Sequence, residues 1–320
     1  MKLISSLLLL VSISLPTMAM DNEEAESWLV RLSESLNQLN FNTSFVVVKN
    51  NQAEPYHWFH GVDGETGAEL EILSLLNGPR RDILRRGDVV SYIEPELQPY
   101  SVNSPRISGP IPAIFSQDMT TLVDNYEFNA VGRSRVLGKP AQLIRIESRD
   151  EHRFGHWLWL DMETGLPLKI ALLTRKGQLL EQVQFTHLVI SEQPAESLQQ
   201  LKQADLPPIL ALPQAAMNNF NWQIDWLPPG FKKVNSSRHR IAHTKQPVEF
   251  MLFSDGLVEL SVYVNPSQQS QRPVEYVMNG ATVVLNQVVN NVEVSVVGKI
   301  PSNTAKAIAD SIQIKASTAP

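Results

Sequence analysis

Short β-rich runs separated by tight turns constrain this chain more than any other feature. The runs ILR and VVSYI flank Arg86-Gly87-Asp88, and two later runs flank Leu137-Gly138-Lys139-Pro140. Loops this short join antiparallel neighbours, because a parallel pair needs a crossover of a dozen residues or more. From Thr43 the pattern continues through TSFVVVK, EPYHWFHG, AELEILSLL, VGRSRVLG, AQLIRIESR, RFGHWLWLD, LPLKIALLT and LLEQVQFTHLVI. The spacing predicts about nine or ten strands before residue 191. One large curved antiparallel sheet is the simplest arrangement of them. In RFGHWLWLD, Trp157 and Trp159 point to one face and Leu158 and Leu160 to the other, so the sheet needs cover on both sides.

Helices frame these runs. Trp28, Leu29, Leu32, Leu36 and Leu39 recur at helical spacing behind Glu23, Glu24 and Glu26, whose carboxylates favour a helix N-terminus. Ile114 to Tyr126 and Pro194 to Gln203 read as two further helices. ADLPPILALPQAA then carries three prolines and little charge, and reads as an extended linker. A second β-rich block, Trp222 to Val297, ends in a helix whose Ala305, Ile308 and Ile312 form an apolar stripe, with Ser302 or its neighbour as cap. The fold class is α+β, with a large antiparallel domain at 20–203, a linker at 204–216 and a smaller sheet-and-helix domain at 217–320.

The first residues predict export. Lys2 precedes an apolar run from Leu3 to Leu15, then Pro16 and a small-residue site ending at Ala19, the pattern of a cleaved secretory signal over 1–19. Without it the chain carries 26 basic and 33 acidic residues, which argues against a nucleic-acid partner. There is no cysteine, so stability must come from buried cores rather than disulfides.

Catalytic and metal chemistry find little support. His57 with His60, His152 with His156, and His239 with His243 are the closest histidine pairs, and none has a HExxH setting. His57 and His60 fall on opposite faces of a strand. No GxSxG or phosphate-binding loop occurs, and Asp150-Glu151-His152 places acid and base side by side, where they seldom converge. The expectation is no enzyme, no catalytic residue, no metal and no cofactor.

Two features point to binding. Arg80, Arg81, Arg85 and Arg86 crowd one strand and its turn in an acidic protein, and arginine forks match phosphate or carboxylate; a solvated strand with local ion pairs explains them equally well. Tyr56, Trp58, Phe59, Phe154, Trp157 and Trp159 are dense enough to line an apolar cavity, though an ordinary core is the commoner use of such residues.

Five strings, LNGPRRDILRRGDVVSYIEP, TGLPLKIALLTRKGQLLEQVQFT, LPPGFK, SDGLVELSVYV and VVGKIPSNTAKAIADSI, resemble the MucB/RseB family over nearly the whole mature chain. That family comprises periplasmic negative regulators of the envelope-stress sigma factor sigma-E. The resemblance implies a periplasmic location and an N-terminal domain similar to LolA and LolB, an unclosed barrel with helices plugging its concave face. It implies binding to the periplasmic region of an anti-sigma factor of the RseA/MucA type, protection of that region from site-1 proteolysis, and release by lipopolysaccharide or another acyl-chain ligand, with a homo-oligomer left open. Candidate lipid residues are Phe115, Trp157, Trp159 and Phe185, between sheet and helices, with Arg80, Arg81, Arg85 and Arg86 as phosphate partners. Candidate anti-sigma residues are Phe231, Phe253, Asp255, Val262 and Tyr263. A periplasmic lipid or lipoprotein carrier is the alternative reading.

Overall fold

The computed structural model describes residues 22–210, 220–239, 248–265, 275–290 and 292–315. The expected signal at 1–19, the second half of the expected linker and His243 lie outside the described residues. Helix α1 (Asn22–Gln38) opens the described chain and carries Glu23 and Glu24 in its first turn. Eleven strands follow: β1 (Asn40–Lys49), β2 (Gln52–Val62), β3 (Glu69–Leu75), β4 (Arg81–Arg86), β5 (Val89–Ile93), β6 (Tyr100–Asn103), β7 (Tyr126–Val136), β8 (Lys139–Ser148), β9 (Gly155–Asp161), β10 (Pro167–Leu173) and β11 (Leu179–Ser191). They form one antiparallel sheet in the order β6-β5-β4-β3-β2-β1-β11-β10-β9-β8-β7. Its end strands, β6 and β7, do not pair, so the barrel is unclosed as expected.

Alternation decides what fills the concavity. On β1, Phe41, Phe45 and Val47 point inward and are buried, and they meet Ala25, Leu29, Leu32 and Leu36 of α1 in one core. The expected helix over Ile114–Tyr126 is instead two 3-10 turns, Ala113–Ser116 and Met119–Leu122. Asp118 interrupts them: its side chain accepts the Thr120 N–H, a local bond that competes with helix continuation. Ile114, Phe115, Met119 and Leu122 still reach the core under the sheet.

Among the described residues, the outer face is covered by a helix over β2–β4. Helix α2 (Glu196–Gln203) lays Leu198 and Leu201 against Leu70, with Phe59, Ile72 and Leu84 around them. The proline segment that follows α2 is extended, as expected, but it is pinned to the sheet. Ser101 N–H donates to Pro208 O at 2.9 Å and Leu210 N–H to Ser101 O at 2.8 Å, so this segment caps the β6 edge. Pro207 and Pro208 lack N–H donors, which suits a chain that must end a sheet rather than extend it.

The second unit contains β12 (Trp222–Ile224), β13 (Lys232–His239), β14 (Val248–Ser254), β15 (Glu259–Asn265), β16 (Glu275–Asn279), β17 (Thr282–Val289), β18 (Val292–Gly298), α3 (Ser302–Asp310) and β19 (Ile312–Ile314). Six strands form an antiparallel sheet, β13-β14-β15-β18-β17-β16, while β12 and β19 pair separately. Ala305, Ile308 and Ala309 of α3 pack with Val283, Leu285, Val294 and Val296. Of the expected caps, Ser302 or its neighbour, the helix start at Pro301 has no side-chain cap, while Asn303 Oδ1 accepts the first-turn Thr304 N–H at 3.0 Å.

Candidate functional site: an inter-domain cleft

The concave mouth of the large sheet faces the second sheet across a cleft of about 840 Å³. Its floor is apolar: Val47, Tyr56, Leu73, Ile83, Ile170 and Val183 come from the inward rows of β1–β4, β10 and β11. Ile107, Ile111 and Ile114 line one side, in the segment that crosses the mouth. Leu252, Leu257, Val258 and Val297 face them from the second domain. Lys49, Glu54, Arg81, Glu181, Glu259 and Lys299 add both signs of charge to the lining.

Two sets of polar contacts hold the domains across this cleft. At one end the Arg153 and Asp255 side chains, both fully buried, meet with Nε 2.5 Å from Oδ2. Arg153 also donates to Asp150 and to the Pro229 carbonyl, and its guanidinium lies 5.0 Å from the Phe231 ring centroid. Tyr126 donates its hydroxyl to Asp255 Oδ2 at 2.8 Å. Burial, helped by the neighbouring Asp255 carboxylate, pushes the Tyr126 phenol far above its ordinary range. The other Asp255 oxygen accepts the Leu257 and Val258 N–H groups at 3.0 and 2.8 Å, which fixes the turn at Gly256, where φ is +102°. At the other end Glu181 accepts from Ala281 N–H at 3.1 Å and from Lys299 Nζ at 2.5 Å. The fully buried Arg153–Asp255 pair is stable only with both charges and their hydrogen bonds in place, so this set depends on domain position, whereas Lys299 in the second set is half exposed.

Beneath Arg106–Pro112 a smaller pocket of about 40 Å³ adjoins the cleft. Arg85 Nη1 donates to Glu69 and Glu71, each at 2.7 Å, and Trp58 Nε1 donates to Glu71 at 2.9 Å. His156, lining the cleft, has an unpartnered buried Nδ1, and burial, with Lys299 nearby, lowers its imidazole to about 3.

The expected site residues are dispersed. Phe115 and Phe185 share the inner face, but as closed core against α1. Trp157 and Trp159 lie on the outer face, half-buried, so they are not between sheet and helices; Leu158 and Leu160 take the inward positions. The four arginines form no common patch. Arg80 is exposed and pairs with Asp82, Arg81 lines the cleft, and Arg85 is buried on its two glutamates. Arg86 points to the outer face, where it donates to the Leu201, Lys202 and Ala204 carbonyls at the end of α2.

Of the expected anti-sigma residues, Phe231, Phe253 and Val262 are buried core, and Asp255 is consumed by Arg153. Tyr263 packs on Phe250, ring centroids 5.0 Å apart. Leu252, Gly256, Leu257, Val258 and Ser261, which line the cleft, lie within three positions of these. On β14 the expectation fell one residue out of strand phase. Among the described residues no group of three or more His, Asp or Glu side chains could hold a metal.

Residues 24–210 match the model of the MucB/RseB N-terminal domain, and residues 216–313 that of the MucB/RseB C-terminal domain. The sigma-E factor regulatory protein RseB of Salmonella typhimurium is 36% identical over 290 residues, 90% of each chain. The sigma factor AlgU regulatory protein MucB of Pseudomonas aeruginosa is 33% identical over 316 residues, 98% of each chain. The complex structure of Pseudomonas aeruginosa MucA/MucB superposes with a TM-score of 0.75 at 32% identity, covering 92% of this chain and 100% of that one. A crystal structure of MucB gives 0.60 at 30% identity, covering 92% and 98%. With both domain models matched in order around one apolar inter-domain cleft, the chain belongs to the MucB/RseB family.

Proposed function

We propose that the protein is a periplasmic negative regulator of a sigma-E-type envelope-stress response. It binds the periplasmic region of a membrane-spanning anti-sigma factor, shields it from site-1 proteolysis, and lets go when an acyl-chain ligand binds. The observation that carries this reading is the cleft itself, lined by both domains and flanked by two sets of contacts that exist only when the domains are docked. A segment seated there senses domain position directly. If the segment and the acyl ligand favour different placements, each weakens the other by the same factor, by linkage.

Solved relatives include MucB in complex with MucA(peri), which supports a protein partner for this chain. For the acyl ligand the floor of Leu73, Ile83, Ile107 and Ile111 supplies apolar contact, and Arg81 is the one of the four expected arginines that lines the cleft as a headgroup partner. The test is calorimetric titration of the mature chain with the periplasmic region of the cognate anti-sigma factor, with and without lipopolysaccharide. Binding that lipopolysaccharide weakens is the expected result. Lipid binding without protein binding would move the assignment to a lipid carrier.

A further inference from the structure

We propose that the outer face of β8–β10 is a docking surface for an anionic phospholipid bilayer. Among the described residues, helix α2 packs on the outer face over β2–β4 and not over β8–β10. The register places ten side chains of five strands in two adjacent rows. One row runs Leu143, Trp159, Lys169, Gln184, Val46, and the next Arg145, Trp157, Ala171, Gln182, Val48. These rows hold two cations, two tryptophans, aliphatic residues and two glutamines, and no carboxylate, in a chain whose net charge is −6. The face is therefore locally opposite in sign to the molecule that carries it.

The cations and indoles are interleaved. The Arg145 guanidinium lies 4.1 Å from the Trp157 ring centroid, and Lys169 Nζ lies 4.6 Å from that of Trp159. Arg145 Nε is buried without a hydrogen-bond partner among the described residues. Both tryptophans stay half-buried, with their cationic neighbours lying along the rings. Indoles belong at the headgroup level of a membrane, and Lys or Arg stems lie along apolar surface while their heads reach anionic phosphate. Five strands span roughly 20 Å across the convex side of the sheet, an extent suited to a surface rather than to a discrete ligand. Glu127 and Glu147, opposite one another on β7 and β8, bound the patch at one end, and Asp161 of β9, paired with Lys139 at 3.2 Å, bounds it at the other.

The inference does not rest on the cleft reading, and its test needs no anti-sigma segment. The full mature chain is sedimented with phosphatidylethanolamine–phosphatidylglycerol vesicles and with phosphatidylcholine vesicles, and indole quenching by brominated acyl chains is recorded. Binding to the anionic vesicles alone is expected, with salt-sensitive affinity and quenching. Arg145→Gln with Lys169→Gln should weaken it about 10- to 30-fold, as two surface cations do, while Lys232→Gln with Lys233→Gln, an equal change of charge elsewhere, leaves it within about twofold. Circular dichroism establishes that both variants are folded. Absence of binding to the anionic vesicles, an equal loss in the control pair, or binding without quenching would each overturn the proposal. So would a first pair that binds vesicles normally but fails to bind the anti-sigma segment, since the face would then belong to a protein contact.

Discussion

Asp255→Ala should undock the two domains before it unfolds either one. The substitution deletes the carboxylate that Arg153 and Tyr126 share across the interface and leaves the guanidinium with Asp150 and the Pro229 carbonyl. Removing one partner of a buried ion pair costs about 3–5 kcal/mol, and the surviving Asp150 contact places this case near about 3. The Asp255 side chain also holds the turn at Gly256, through Leu257 and Val258, which adds to the loss. The protein relieves most of this by letting Arg153 return to water, which requires only separation of the domains. About 3 kcal/mol is roughly a 150-fold fall in the docked-to-undocked ratio. Spin labels at exposed positions, Val30 on α1 and Lys306 on α3, report the separation by double electron–electron resonance. A broadened, lengthened distance distribution is expected, partly restored in Arg153→Met/Asp255→Ala, where no charge is left buried alone. An unchanged distribution with an unchanged melting temperature would refute the reasoning, since the pair would then contribute nothing to docking.

The remaining predictions concern the other contacts. Gly280 has φ of +63°, and a Cβ there would lie 2.6 Å from Glu181 Oε1, so Gly280→Ala should cost about 1–2 kcal/mol from backbone strain alone and loosen the second contact set in the same label experiment. Ile83→Trp places a large side chain in the cleft rather than in closed core, and should reduce anti-sigma binding in calorimetry while leaving the melting temperature within a few degrees. His156 should make stability depend on pH: its folded value of about 3 lies below the unfolded value of about 6.5, so between them the unfolded chain binds the extra proton. Stability is then complete above about pH 6.5 and falls by at most about 1.4 kcal/mol per unit as pH drops toward 3; urea titrations of the wild type and His156→Leu across this window should differ in slope.

Local pattern carried the elements, and long-range pairing carried the site. The turns at Arg86-Gly87-Asp88 and Leu137-Gly138-Lys139-Pro140 do join antiparallel neighbours, β4 to β5 and β7 to β8, because tight-turn chemistry acts within a few residues. His57 and His60 do fall on opposite faces, with His60 stacked on inward Phe41 and His57 on outward Phe59. The arginine run was half legible: alternation alone separates Arg85 from Arg86, but only the pairing of β3 with β4 reveals that Arg85 meets Glu71. Likewise the two apolar faces of β9 were visible in WLWL, yet periodicity is symmetric and cannot say which face meets α1. Arg153 and Asp255 stand 102 residues apart, and although SDGL marks Asp255 as a turn residue, nothing in the pattern pairs it with Arg153.

The pinning of Pro207–Leu210 on the β6 edge sets the stroke of any opening. Had the tether begun at the end of α2, the second domain could swing on a longer leash. Instead the path from Leu210 to Phe220 is ten peptide steps, at most about 35 Å when fully drawn out. A released domain therefore remains at an effective concentration near the millimolar range, and closure is an intramolecular event that needs no diffusional search. A ligand that opened the cleft would leave reclosure favoured as soon as it departed.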